Sequence, residues 1–261
     1  MQNETSWHFL TWNLRMDNPN DEGNRFSDRL PLIRSALKRE QADVIGFQEV
    51  LPHMLRALEE EFTDYVFIGR ERDAQMVDEC CCVAVRKETI RILDASTIWL
   101  SPTPEVPGSR YPEQSICPRV RTRLLLQHRE SKALTWYINT HLDHFSGPSR
   151  QSAQDQLIRE MEALRDNPQC GRVIWGGDLN YSPDDPLYLE LVEAGFMELS
   201  EQAGGTFHNF GRDENPKKID YLWGYQDHWQ VVEEGRILDD REGNVWLSDH
   251  YPVSVVVTPL E

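Results

Sequence analysis

In the stretch Val173 to Asp185, VIWGGDLNYSPDD, a buried-strand pattern runs through two glycines to Asp178 and Asn180, separated by one residue. Residues i and i+2 of an extended chain project to the same side, so a carboxylate and a carboxamide leave this strand together. Gly-Gly-Asp also suits an ordinary turn. The pattern gains weight because it recurs. Asn13 follows FLTW, Glu49 follows VIGFQ, His141 follows WYINT, Asp220 lies within KKIDYLWG, and Asp249-His250 lies within WLSDHYPVSVVV. Core strands need none of these groups. Ligands in open α/β sheets collect at the carboxyl ends of strands, so the six endings are expected at one rim. Carboxylates, carboxamides and imidazoles in this mixture suit a hard divalent cation held by oxygen, with a general base and donors to a phosphate. They do not suit zinc, which favours His and Cys at short spacing. No serine sits in a Gly-x-Ser-x-Gly elbow, so a nucleophilic triad also fits poorly.

Taken singly, each group has a plainer reading. Asn13 can be a strand-end turn residue, and Glu49 can favour the N-terminus of the Pro-started helix that follows. Asp220 can pair with Lys217 or Lys218, and His141 can be a hydrogen-bonded core histidine. Six such endings in one chain are harder to explain separately.

The elements that must position these groups are legible as periodicities. Strand-like runs rich in Val, Ile, Trp and Tyr cover Trp7 to Asn13, Val44 to Glu49, Cys80 to Arg86, Ile90 to Trp99, Arg121 to Gln127, Leu134 to Thr140, Val173 to Gly177, Ile219 to Gly224, Gln230 to Leu238 and Tyr251 to Val257. Three helices are expected from apolar stripes at Leu30, Ile33 and Leu37, at Met54, Leu55, Leu58 and Phe62, and at Ala153, Leu157, Ile158, Met161 and Leu164. Pro52 starts the second, and Ser149 after Pro148 is placed as the cap of the third. Many strands and few helices indicate an α/β (α+β) protein with mixed sheets and helices outside.

The 261 residues, 39% hydrophobic and without a linker or low-complexity tract, are expected to form a single catalytic domain over 1–261. Against 27 basic residues stand 44 acidic ones, a balance of −17. Such a surface disfavours non-specific binding of nucleic acid while allowing a selective nuclease with a local basic groove. The opening residues MQNETSWHFLTWN carry neither a basic n-region nor an apolar h-region, and no run reaches membrane-spanning length. A cytoplasmic protein with no membrane partner is expected. Five cysteines, three adjacent in ECCCVAVR and none in Cys-x-x-Cys spacing, read as buried reduced thiols.

Together these residues resemble the endonuclease/exonuclease/phosphatase family of metal-dependent phosphoesterases. TWN, FQE, NTHLDH, GGDLN, KIDY and SDHYP stand in the family's order along nearly the whole chain. GDLN and SDHYP with an upstream QE form the specific part. The segments RMDNPNDEGNRFSDR and VPGS…PRVRT are most similar to the uncharacterised bacterial hydrolase branch. The resemblance implies a four-layer sandwich, two mixed β-sheets face to face and flanked by helices, with the active site at one end. It implies Mg²⁺ as cofactor, with Mn²⁺ able to substitute. Glu49 would be its main ligand, supported by Asn13 and Asp249. Asp178 would orient or deprotonate the attacking water, and Asn180 would bond a phosphate oxygen. His250, oriented by Asp220, would be the second acid/base group or a phosphate donor. Either Asp178 or His250 would serve as the base. His141 and Arg119 would stabilise charge on the transferring phosphoryl group.

Departures from the family's subgroups bear on substrate. The Asp220 segment lacks the Trp-Cys-Asp-Arg signature of phosphoinositide phosphatases, and His141 stands where abasic-site endonucleases use a tyrosine. Secreted deoxyribonucleases and sphingomyelinases fit poorly, whereas poly(A) deadenylases share QE, THL and GDLN. Phe207, with His208 and Phe210, either stacks on a base or sugar or packs under its loop. Asp143, His144 and Arg150 either contact substrate or hold the local loop. The expected activity is Mg²⁺-dependent hydrolysis of a phosphoester in a small phosphorylated metabolite or soluble phosphodiester. A nuclease of the same fold is second, and a catalytically silent binding module third.

Overall fold

The computed structural model describes residues 6–260. The reading of the opening residues rests partly on 1–5, which lie outside the described residues. One sheet has the order β11 (Trp229–Ile237), β14 (Val253–Pro259), β1 (Trp7–Asn13), β2 (Val44–Gln48), β4 (Val83–Arg86) and β3 (Tyr65–Ile68). The other has the order β5 (Ile90–Trp99), β6 (Val120–His128), β7 (Leu134–His141), β8 (Val173–Asp178), β10 (Asp220–Tyr225) and β9 (Phe196–Glu198). Both are mixed: β1 runs parallel to β2 and antiparallel to β14, and β8 runs parallel to β7 and antiparallel to β10. A short ribbon joins β12 (Arg241–Glu242) to β13 (Val245–Trp246).

Alternation along the strands creates the layers, because successive side chains face opposite sides of a sheet. On β1, Leu10 and Trp12 pack under α1 (Phe26–Glu40) and α2 (Pro52–Glu61), while Trp7 and Phe9 face the other sheet. On β8, Val173 and Trp175 pack under α3 (Gly147–Arg165) and α4 (Pro186–Glu193), while Ile174 faces inward. The layer between the sheets is therefore apolar, with Val44, Val85, Leu124, Leu126, Leu222 and Val255 around a stack of Phe9 on Tyr137 at 5.6 Å. Each such side chain contributes roughly 1.5–3 kcal/mol on burial. The four-layer sandwich expected from the resemblance is the architecture observed.

One polar cluster crosses this apolar layer, beneath the ends of β2 and β7. Gln48 Nε2 donates to Asn139 Oδ1 at 2.7 Å, and Asn139 Nδ2 donates to the Phe47 and Cys82 carbonyls at 2.8 and 2.9 Å. Buried amides cost free energy unless bonded, so these bonds hold one register between the sheets. That register brings Glu49, one residue beyond Gln48, and His141, two beyond Asn139, to the same end of the sandwich.

Several local expectations are corrected. A fourth helix, α4, follows Asp185, whose side chain accepts the Leu187 N–H with Pro186 at the first helical position. Its stripe is only Leu187 and Leu191, too short for periodicity to mark it. Strands β3 and β9 were not expected, being four and three residues long, nor was the β12–β13 ribbon. The Cys80 to Arg86 run is a strand only from Val83; Cys80 instead bridges Val50 and Glu71. Ser149 does not cap α3, because Ser146 does, its side chain accepting the Ser149 N–H. All five cysteines are free thiols, but Cys117 is half-buried where the other four are buried. Among the described residues no helix is long and apolar enough to cross a membrane.

Gly177 is the tightest point of β8. Its φ is +151°, and a Cβ there would lie 2.0 Å from the Thr140 carbonyl oxygen of β7. Gly177→Ala is expected to destabilise the fold by about 3 kcal/mol or more, since both backbone strain and overpacking oppose it. The urea midpoint measures this; a midpoint equal to the parent's would mean that β7 and β8 tolerate separation.

Candidate active site

A cavity of about 560 Å³ opens at one end of the sandwich, lined by Glu49, His141, Asp178, Asn180, Asp249 and His250 among others. Glu49, His141 and Asp178 sit at or just beyond the carboxyl ends of β2, β7 and β8, as expected. Asp220 and Asp249-His250 do not: Asp220 begins β10, and Asp249-His250 precede β14. Because β10 and β14 run antiparallel to β8 and β1, their amino ends meet the other strands' carboxyl ends, and Asp220 pairs directly with Asp178.

His250 Nδ1 lies 2.8 Å from Asp220 Oδ2, and the same oxygen accepts the Thr206 hydroxyl at 2.5 Å. The Phe207 ring meets the imidazole edge-on, centroids 4.9 Å apart. These contacts hold the ring so that its Nε2 faces Asp178 Oδ2 at 3.9 Å. His141 Nε2 approaches that oxygen at 3.5 Å, and Asn13 Nδ2 donates to it at 3.0 Å. Asp178 Oδ1 is tied to the Asn180 N–H at 3.0 Å. One carboxylate oxygen is thus fixed to its own loop, while the other faces two imidazoles.

Glu49 is held separately. Its Oε1 accepts from Asn13 Nδ2 and its Oε2 from the Met16 N–H, each at 3.0 Å. Asn13 Oδ1 accepts the Arg15 N–H at 2.9 Å, which fixes the amide orientation and turns its nitrogen to both carboxylates. Asp249 lies 3.7 Å from Arg15 Nε, whose closer partner is Asp21 at 2.9 Å. Arg15, Glu49 and Asn180 all have φ between 53° and 61°. Left-handed backbone is unusual for such residues and persists where surrounding contacts over-determine it.

Protonation follows from burial and neighbours. Burial, then the charge of Asp220, raises Asp178 to about 7, against the opposing pull of His250 and Asn13. Burial disfavours the charged form of His250, yet Asp220, Asp178 and Asp249 outweigh it and raise the imidazole to about 10. His141 is driven well below its usual range by burial, then by Arg119 and Arg72, and is neutral. For Glu49, burial is overcome by the Met16 N–H, Asn13, His250 and Arg15, so it is a carboxylate. The site therefore combines a charged imidazole, a neutral imidazole and a carboxylate poised near neutrality.

Other expected residues fall on both sides of the cavity wall. Arg119, His144 and Phe207 line it, and Arg119 Nη2 lies 3.0 Å from His144 Nδ1. Asp143 does not line it. Its side chain is buried, accepts from the Ser115 hydroxyl and the N–H groups of Phe145 and Ser146 in its loop, and lies 3.7 Å from Arg119 Nε. Arg150 donates to the Asp143 carbonyl in the same loop. His208 stacks on Tyr251 at 3.9 Å and Phe210 is buried, both away from the cavity. Lys218, offered as a partner for Asp220, pairs with Glu198 at 2.6 Å instead. The cavity also recruits Arg72, Glu79 and Cys117, which no sequence pattern singled out, together with Arg15 and Lys217.

A group able to hold a metal ion is formed by Asp178, Asp220 and His250, whose ligand atoms lie within 4.8 Å of one another. Much of that closeness is the Asp220–His250 hydrogen bond itself.

The fold and site are those of a class whose members hydrolyse phosphoester bonds. The chain matches the endonuclease/exonuclease/phosphatase family over residues 10–250 and belongs to it. Among solved structures it is similar to an endonuclease/exonuclease/phosphatase from Bacteroides vulgatus, with TM-score 0.89 and 24% identity over 98% of this chain and 100% of that one. It is also similar to a mannosyl-6-phosphatase from Bacteroides thetaiotaomicron, with TM-score 0.87 and 24% identity over 97% and 99%. At those identities the likeness establishes the fold. Tyrosyl-DNA phosphodiesterase 2 of Danio rerio is 22% identical over 182 residues, which is 70% of this chain but only 44% of that protein's length.

Proposed function

We propose that the chain, acting as one catalytic unit over 1–261, is a Mg²⁺-dependent phosphatase of a small phosphorylated metabolite, a sugar phosphate being the leading class. The carrying observation is the buried line Asp220–His250–Asp178, at 2.8 and 3.9 Å, beside the separately held Glu49. Glu49 and Asp249 supply oxygen donors from the cavity wall, a hard set that suits Mg²⁺ with waters completing its shell, and Mn²⁺ as a substitute. Asn13 supports them: its nitrogen donates to both Glu49 and Asp178, and its oxygen, which accepts one bond from the Arg15 N–H, keeps a lone pair for the cation. Bound there, the cation would polarise the phosphoryl oxygens.

The chain's own residues do the rest. Asp178 Oδ2 accepts the proton of the attacking water, its carboxylate poised near 7 for that purpose. His250, protonated and held by Asp220, gives its Nε2 proton to the leaving oxygen as the bond from that oxygen to phosphorus breaks. Neutral His141 and Asn180 border the phosphoryl oxygens, and Arg119 adds charge where it develops. Supporting a small substrate are the cavity's volume, within the roughly 300–1,000 Å³ of small-molecule pockets, and the −17 balance. So does the similarity to a mannosyl-6-phosphatase. Five free thiols fit a reducing, cytoplasmic compartment.

A nuclease is the second reading, favoured by Phe207 at the site and by Phe145, 79% exposed beside His144, as surfaces on which a base could stack. A panel of phosphomonoesters, phosphodiesters, DNA and RNA with Mg²⁺ or Mn²⁺ separates the two. A phosphomonoester is expected to exceed duplex DNA by at least about 100-fold in kcat/KM, given the electrostatic penalty on a polyanion. Efficient turnover of duplex DNA at physiological salt would put the nuclease first.

A further inference from the structure

A second charged cluster faces the same cavity, and its one part in the chemistry above is the Arg72 charge that helps keep His141 neutral. It lies in the connection between β3 and β4, where the Arg72 N–H donates to the Glu79 carbonyl at 2.8 Å. Asp73 accepts the N–H groups of Gln75, Val77 and Asp78, and Trp99 Nε1 donates to the Arg72 carbonyl at 2.6 Å. This loop is built, with its backbone tied at several points. It presents Arg72 and Glu79 to the cavity, although both are more than nine-tenths buried.

The guanidinium is almost fully used. Nε and Nη2 donate to Asp78 at 2.9 and 3.3 Å, and Nη1 and Nη2 donate to Glu79 at 2.6 and 2.9 Å. Four of its five N–H groups are taken by two carboxylates, leaving little to offer a phosphate. Each Glu79 oxygen accepts one bond from Arg72 and keeps further lone-pair capacity. A buried ion pair adds little stability over apolar packing of the same volume, so its place on a cavity wall calls for a reason in recognition. Glu79 is the part of that wall with acceptor capacity to spare, and it is complementary to hydroxyl groups.

We propose that the Arg72–Glu79 pair is a subsite for the hydroxyl groups of an uncharged polyol leaving group, with Glu79 accepting and Arg72 holding it in place. This rests on the phosphatase reading and deepens it by naming the residues that would read the sugar's hydroxyl groups. A site built to bond a hydroxyl discriminates strongly against a ligand lacking it, because the buried acceptor is then unmatched. Glu79→Gln keeps the shape but turns one acceptor into a donor. In this variant the preference for mannose 6-phosphate over p-nitrophenyl phosphate, as a ratio of kcat/KM, is expected to fall at least about tenfold, with KM carrying the loss. An equal loss on both substrates, or an unaltered ratio, would overturn the subsite. Wild-type protein gives a second reading that needs no variant: mannose 6-phosphate should exceed n-hexyl phosphate, which lacks the hydroxyls, about tenfold or more in kcat/KM, and an equal or greater rate on hexyl phosphate would overturn the proposal. Turnover of p-nitrophenyl phosphate without any preference for sugar phosphates would sink the subsite alone. A wild-type enzyme inactive on every phosphomonoester would sink the phosphatase reading with it.

Discussion

His250→Ala is expected to lower kcat by on the order of 10³-fold, and Asp220→Asn by on the order of 10²-fold, with the double variant little worse than His250→Ala. Asp220 reaches the reaction only through the imidazole: its Oδ2 lies 2.8 Å from His250 Nδ1, and Asp220 does not line the cavity. Replacing that carboxylate with an amide removes the leading attraction that raises the imidazole to about 10, so the ring loses both its charge and its orientation. Once His250 is gone, Asp220 has nothing to orient, which is why the losses do not add. Steady-state kinetics of the four proteins test the cycle, and calorimetric titration with Mg²⁺ tests the metal assignment alongside it. Fully additive losses would leave Asp220 a structural carboxylate held by Thr206. Loss of metal binding in Asp220→Asn would move the cation to the Asp178, Asp220 and His250 group.

Glu49→Gln is expected to weaken Mg²⁺ binding by about 100-fold and to lower activity in step, with partial recovery at high Mg²⁺ concentration. Glu49 is kept ionised by four separate influences that overcome its burial: the Met16 N–H, Asn13, His250 and Arg15. A site that works to hold an anion there is prepared for a cation, since the anion would otherwise lower its cost by taking a proton. Glutamine preserves the shape and the Asn13 contact region while removing the charge. Chelation of the wild type should abolish turnover, and Mg²⁺ or Mn²⁺ should restore it. Undiminished hydrolysis by the chelated enzyme would end the metal mechanism, and unaltered Mg²⁺ affinity in Glu49→Gln would displace Glu49 as its principal ligand.

The sequence by itself determined what is local or periodic. Alternating apolar residues marked the strands that carry Asn13, Glu49, His141 and Asp178, and i, i+4 stripes marked three of the four helices. The order of the polar strand ends was enough to place the chain in its family, which the match over 10–250 bears out. Only the tertiary structure decided how those ends meet. Mixed strand directions bring the start of β10 and the approach to β14 to the same rim as the carboxyl ends of β2, β7 and β8, a matter of sheet order that no single strand encodes. Asp143, next to the active-site histidines in sequence, turned inward to its loop because Ser115 and two backbone N–H groups claimed its oxygens. Asn13 could be placed at a strand end by its position, but only the fold shows that the Arg15 N–H orients its amide and turns its nitrogen to Glu49 and Asp178. Arg72 and Glu79 left no signal, because their pairing depends on an irregular loop closed by Asp73 and Trp99, and irregular backbone has no period to read. Spacing tells which side chains leave a strand together; long-range pairing and the competition for hydrogen-bond partners tell where those side chains finally point.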